Sequence, residues 1–320
     1  MKYTWKKTDD RATDNLGLQM QKIVRNMNEN KFNTRWRYIA AQKRFISFTA
    51  KEFRLQKLSN VKDTHLEKYV ASLKNQGNSD KYIKNELSAI RFFHNHTMGT
   101  KYELSDSTKF NKMVGLVSTP DGKIDRAWSE VEIQKMQEKA IQLNKGEIVT
   151  VIDTVRATGM RIDEVCNIKH HHINNALKNG FLRLEGGITK GGVPRDIPLT
   201  LRAKSIFKTV IGNVERGSYV FTPKEYTSNH TIHKFEKSIQ NFIGYHRNSI
   251  QNEDRSISGH NVFNSKGALT VHGLRHSFAR EQYFTLKELG MNSHQARVEV
   301  SHMLGHGRDS VTFIYLGSIE

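Results

Sequence analysis

Apolar residues recur at three- and four-residue intervals through the first third of the chain, in LGLQMQKIVRNM (16–27), WRYIAAQKRFISF (36–48), HLEKYVASL (65–73) and DKYIKNELSAIRFF (80–93). That period lays an apolar stripe along each segment and predicts four short amphipathic helices. Thr64 and Ser79 stand where the third and fourth helices should be N-capped, and Gly77 lies in the polar break between them. The period lapses in VGLVSTPDGKIDRA (114–127), where Pro120 and Gly122 mark a linker. It resumes at SEVE, in which Ser129 and Glu132 can close a capping box ahead of IQKMQEKAIQL. EIVTVIDTVRAT (147–158) forms a second helix ending at Gly159, and RIDEVCNI a short third. GFLRLEG and VPRDIPLT read as two strands around GITKGG, with helices from there to the end. Strands so few and so local give a mainly α fold with a small antiparallel β-sheet in the second domain.

Length and charge sharpen this picture. A chain of 320 residues is comfortable for two cores, which places a helical domain at 10–114, a linker at 115–127 and a second domain at 128–320. The chain carries 50 Lys and Arg against 32 Asp and Glu, a formal charge of +18. Such an excess implies a polyanionic partner, nucleic acid ahead of a membrane surface. Residues 1–118 hold 23 of the basic residues and 11 of the acids, so the front third is the more strongly basic part and the expected phosphate grip. No apolar run approaches the roughly 20 residues a bilayer requires, and the N-terminus is polar, so a soluble cytoplasmic protein is expected. Cys166 is the only cysteine, which excludes an internal disulfide and any Cys-based zinc ribbon.

The polar residues that punctuate the second domain carry the candidate chemistry. In ATGMRIDEV, Arg161 follows a glycine break and has Glu164 three residues on along one helical face. In GITKGGVPRDIPL, Lys190 rises at a glycine-rich hairpin tip. In TVHGLRHSFAR, His272 and Arg275 share one face near a helix N-terminus, a place that favours an anion. His306 and Tyr315 follow, nine residues apart, in LGHGRDSVTFIYL.

The order of that set resembles the tyrosine recombinase (phage integrase) family box by box. TGMRIDEV is similar to its first arginine box, TKGGVPRDIPL to its lysine hairpin, HGLRHSFA to its His-x-x-Arg box, and LGHGRDSVTFIYL to its Leu-Gly-His and nucleophile segment. The resemblance covers residues 128–320, and more loosely 10–112 as the family's four-helix core-binding domain. It implies a two-domain enzyme that cleaves and rejoins DNA through a 3′-phosphotyrosyl intermediate and a free 5′-hydroxyl, without metal, cofactor or ATP. Tyr315 would be the nucleophile. Arg161, Arg275 and His306 would stabilise charge on the non-bridging oxygens of the transition state. His272 would accept the tyrosine proton and Lys190 would protonate the departing 5′-oxygen. Glu164 and His276 would be supports. The implied partners are double-stranded recombination sites, with a dimer per site, a homo-tetramer across two sites and an accessory DNA-bending or directionality factor. No further N-terminal domain is legible, which implies a simple-site recombinase. Family members often carry a docking helix beyond the tyrosine, where here only LGSIE follows.

Other features weigh less. His170, His171 and His172 are adjacent, yet consecutive residues do not share a face, and no cysteine or acid completes a zinc set. HRNSIQNEDRSISGHNVFNSKG (246–267) reads as a polar surface loop that could touch DNA. A type IB topoisomerase shares the catalytic logic, and a non-catalytic DNA-binding regulator shares the basic helices. An RNA-binding protein lacks support, since the strands show no aromatic-rich pattern.

Overall fold

A computed structural model of the chain describes residues 3–27, 32–117, 126–189, 192–250, 269–306 and 309–316. The chain divides into two compact units, Met1–Pro120 and Asp121–Glu320.

The first unit holds the four expected helices, α1 (Arg11–Arg25), α2 (Phe32–Phe53), α3 (Asp63–Asn75) and α4 (Asp80–Asn95), and adds a short α5 (Ser107–Met113). Seven residues complete barely two helical periods, which is why α5 left no pattern; Asp106 caps it by accepting from the backbone amides of Thr108 and Lys109. Ser79 caps α4 as expected, accepting from Tyr82 N at 3.3 Å. Thr64 does not cap α3: the helix begins at Asp63, two residues earlier than a Thr64 cap would start it, behind Lys62, and the Lys62 amide donates back to His65 Nδ1 at 3.1 Å. The apolar stripes of these helices meet in one core around Leu16, Phe45, Ile46, Leu66, Ile83 and Phe93. Inside it Glu86 is buried and gripped by Arg44 through two bonds of 2.9 and 2.6 Å, with Tyr69 donating at 3.1 Å. That network ties α2, α3 and α4 together.

The second unit opens with α6 (Glu130–Gln142), whose Ser129–Glu132 capping box forms as expected. Then come α7 (Gly146–Thr158), α8 (Ile162–Cys166) and α9 (His170–Asn179), followed by strands β1 (Phe181–Leu184) and β2 (Arg195–Pro198). The strands pair antiparallel in the register Leu182 with Ile197 and Leu184 with Arg195. Helices α10 (Leu201–Ile211), α11 (Asn229–Ile250), α12 (Val271–Glu288), α13 (Ser293–Leu304) and α14 (Asp309–Leu316) follow. A mainly α fold with one small antiparallel sheet is therefore what the chain adopts. His172, in the first turn of α9, closes the helix start by accepting from Lys169 N at 3.0 Å on its Nδ1. Most of the 246–267 segment lies outside the described residues. Among the described residues no helix is long and apolar enough to cross a membrane.

Candidate active site

Three turns bring the polar residues together. At the first, Gly159 ends α7 with φ +63°, a left-handed conformation that glycine adopts without strain, and a Cβ there would lie 2.3 Å from the Phe278 ring. The chain then buries Met160 and turns Arg161 into the N-cap position of α8. There Arg161 donates its backbone amide to Glu164 Oε2 at 2.7 Å and its Nη1 to Oε1 at 2.9 Å.

At the second, Thr270 caps α12 through the Gly273 amide, so that His272, Arg275 and His276 all fall in its first turns. Arg275 is 1% exposed. Its Nη1 bonds the Gly159 carbonyl and its Nη2 donates to Leu304 O at 3.0 Å, which aims the guanidinium fork. Burial pushes its pKa down to about 10, so it stays charged near neutrality.

At the third, Gly305 ends α13 with φ +71° and presents His306. The His306 Nε2 lies 3.4 Å from Arg275 Nη2 and 2.9 Å from the hydroxyl of Tyr315. Burial, then the charges of Arg275, Arg161 and Arg195, push His306 down to about 4, so its imidazole is neutral at physiological pH.

Tyr315 itself lies on α14, only 4% exposed, in a small core with Phe278, Tyr283, Val300 and Leu304. Its ring sits with the rings of His276 and His272 at centroid distances of 4.6 and 5.5 Å, and with the Arg275 guanidinium carbon 5.6 Å from its centre. The helix is held by its last carbonyls: His276 Nδ1 lies 3.2 Å from Tyr315 O, while Arg280 donates to Leu316 O at 3.1 and 3.2 Å. His276 is pushed down to about 3, by burial first and then by neighbouring His272, so it donates from Nδ1 as a neutral ring.

The structure thus gathers Arg161, Glu164, His272, Arg275, His276, His306 and Tyr315. Lys190 lies outside the described residues. One further side chain joins them that the sequence reading passed over. Arg195, in β2, grips Glu164 with two bonds of 2.7 and 2.6 Å. The signal was present: Arg195 stands in the same alternating phase as Ile197 and Leu199, where the strand faces inward, and a charge in that phase needs a buried partner. Among the described residues no cluster of three or more His, Cys, Asp or Glu side chains is placed to hold a metal ion.

A profile of the phage integrase family matches residues 128–319, the stretch that contains every one of these residues. The chain belongs to the phage integrase family. A second profile, the phage integrase N-terminal SAM-like domain, matches residues 19–104. The tyrosine recombinase XerD of Staphylococcus haemolyticus is 28% identical over 261 residues, covering 78% of this chain and 76% of the relative. XerD of Staphylococcus saprophyticus is 27% identical over 275 residues, covering 82% and 81%. Among solved structures, a lambda integrase tetramer bound to a Holliday junction has the same fold at TM-score 0.61 and 16% identity, covering 94% of this chain and 76% of that one. The Tn1549 transposon integrase in complex with a circular intermediate DNA aligns at TM-score 0.58 and 14% identity, covering 93% of each. As a member of the phage integrase family, this chain shares its fold with proteins solved on DNA.

Proposed function

We infer that the chain is a tyrosine-type site-specific recombinase that cleaves and rejoins duplex DNA, with Tyr315 as nucleophile. The observation that carries the residue assignment is the Tyr315 hydroxyl at 2.9 Å from the neutral His306 imidazole, beside the buried Arg275 guanidinium. The Tyr315 oxygen attacks phosphorus, an Oη–P bond forms and the P–O5′ bond breaks. His272, exposed at the rim of the site, takes the phenol proton, and Lys190 supplies a proton to the departing 5′-oxygen. Arg161, Arg275 and His306 face the non-bridging oxygens. Two guanidinium groups suit the phosphate geometry and stay charged at working pH. A phenol leaves more readily than an alkyl hydroxyl, so the phosphotyrosyl link is reversible, and its retained bond energy lets a second DNA end attack without ATP.

Residues 10–114 form the core-binding domain that grips duplex DNA, 115–127 the linker and 128–320 the catalytic domain. The recombination partners are two double-stranded sites with a dimer on each, a tetramer in all, and the lambda integrase tetramer on a Holliday junction supports that assembly. An accessory DNA-bending or directionality factor completes the reading. Neither a type IB topoisomerase nor a non-catalytic regulator is favoured, because the relatives are recombinases and integrases.

The test is covalent capture. The protein is incubated with a randomised duplex library nicked near the middle, and protein–DNA adducts are isolated under denaturing conditions and sequenced. A recovered sequence that also supports strand exchange between two copies is the expected result. Relaxation of supercoiled DNA with no sequence enrichment would favour the topoisomerase, and no adduct at all would sink the nucleophile assignment.

A further inference from the structure

Arg195 begins β2 opposite Leu184, on the face that buries Leu182, Leu184 and Ile197. It is 7% exposed, and Glu164, its partner, is fully buried. The Arg195 Nη1 donates to the same Glu164 oxygen, Oε1, that accepts from Arg161 Nη1. Its Nη2 takes the other oxygen, and its Nε donates to Met303 O at 3.2 Å, one residue before the carbonyl that Arg275 holds. The approach is close: a Cβ on Gly305 would lie 2.7 Å from Arg195 Cδ, so the turn that presents His306 is packed directly on this side chain.

The charges decide what this arrangement does. Arg161 and Glu164 alone sum to zero, and in a buried site a carboxylate 2.9 Å from a guanidinium cancels most of the field that guanidinium offers to a third group. With Arg195 the cluster carries one net positive charge, and of its two arginine side chains that of Arg161 is the more exposed, at 17% against 6%. We propose that Arg195 is a positioning residue that neutralises Glu164, leaving Arg161 free to present its charge to the scissile phosphate. The proposal rests on Arg161 being a phosphate ligand.

Single-turnover cleavage is measured at saturating concentration of the duplex captured on the wild-type protein, with DNA affinity and Tm followed in parallel. Arg195→Met should slow cleavage roughly a hundredfold, the range seen when one transition-state donor is lost, with affinity little changed. Adding Glu164→Gln to Arg195→Met removes the unneutralised carboxylate and should recover about tenfold of that loss, a gain that a purely structural role for Arg195 does not produce. Arg195→Lys keeps the charge but loses the two-pronged grip on Glu164, and should fall between Arg195→Met and wild type. It serves where Arg195→Met does not fold. Wild-type cleavage in Arg195→Met overturns the proposal, as does a double variant no faster than the single, or a folded Arg195→Lys as slow as Arg161→Ala. Arg161→Ala separates the two readings: full activity there removes Arg161 from the site, whereas a dead Arg161→Ala with a fully active Arg195→Met removes only the role of Arg195.

Discussion

The hydroxyl of Tyr315 is hydrogen-bonded to Nε2 of His306 at 2.9 Å, nine residues back along the chain and just past the end of α13. The tyrosine helix docks within its own chain, and the ring lies in a pocket walled by His272, Arg275, His276 and His306.

Tyr315→Phe removes the hydroxyl and leaves the ring. It should abolish the covalent adduct, retain DNA affinity and cost about 1 kcal/mol of stability, the net value of one hydrogen bond. A denaturing gel read beside fluorescence anisotropy checks this; an adduct at full strength in the variant would end the assignment.

His306, half-buried, and His276, buried, are both held neutral, near 4 and 3 against an unfolded value of about 6.5. Below about pH 6.5 the unfolded chain takes up protons that the folded one refuses. Stability is therefore full above that pH and falls as the pH drops toward 4. The Tm should be lower at pH 5 than at pH 7.5, and His276→Asn should narrow the gap. An unchanged gap in that variant contradicts the buried neutral imidazole.

Lys190 is assigned as proton donor to the 5′-oxygen. An alkoxide is a poor leaving group, its conjugate acid being about as weak as water at roughly 15.7, whereas a thiol near 8.5 leaves unaided. Lys190→Ala should be crippled on ordinary DNA and largely rescued by sulfur at the bridging 5′ position, while Arg161→Ala should not. Equal rescue of both, or of neither, would reduce Lys190 to another phosphate contact.

The assigned chemistry draws its cations from arginine and lysine, so cleavage should persist in EDTA. Activity lost on chelation and restored by magnesium would point to a metal-dependent nuclease.

The basic first unit should supply much of the salt-sensitive affinity. The full chain should lose affinity steeply as log salt rises, and a chain lacking residues 1–118 should bind more weakly with a shallower slope. Equal slopes would contradict that division of labour.

Much of this was legible along the chain because it is local. The period of three and four set α1 to α4 and α7, and the Ser129–Glu132 box and Ser79 fixed two helix starts within one turn of each residue. The start of α3 was not legible, because Lys62 and His65 close it with a side chain that carries no strong capping preference, while Thr64, a better capping type, sits inside the helix. The order Arg161, Lys190, His272, Arg275, His306, Tyr315 marked the family from sequence alone, since spacing within each box is a property of consecutive residues.

Only tertiary structure decided who holds whom. Arg275 reaches the Gly159 carbonyl across 116 residues, and Arg195 reaches Met303 across 108 and Glu164 across 31. Sequence could mark Arg195 as a charge in an apolar phase, but not name the carboxylate it would neutralise, because several acids lie within reach of an unfolded chain. Sequence could also place Tyr315 nine residues after His306, but not show that its hydroxyl rests on His306 or that its ring covers Arg275. Burial does that: once α12, α13 and α14 close over Phe278, Val300 and Leu304, a desolvated guanidinium and a desolvated phenol must find the few donors and acceptors left inside.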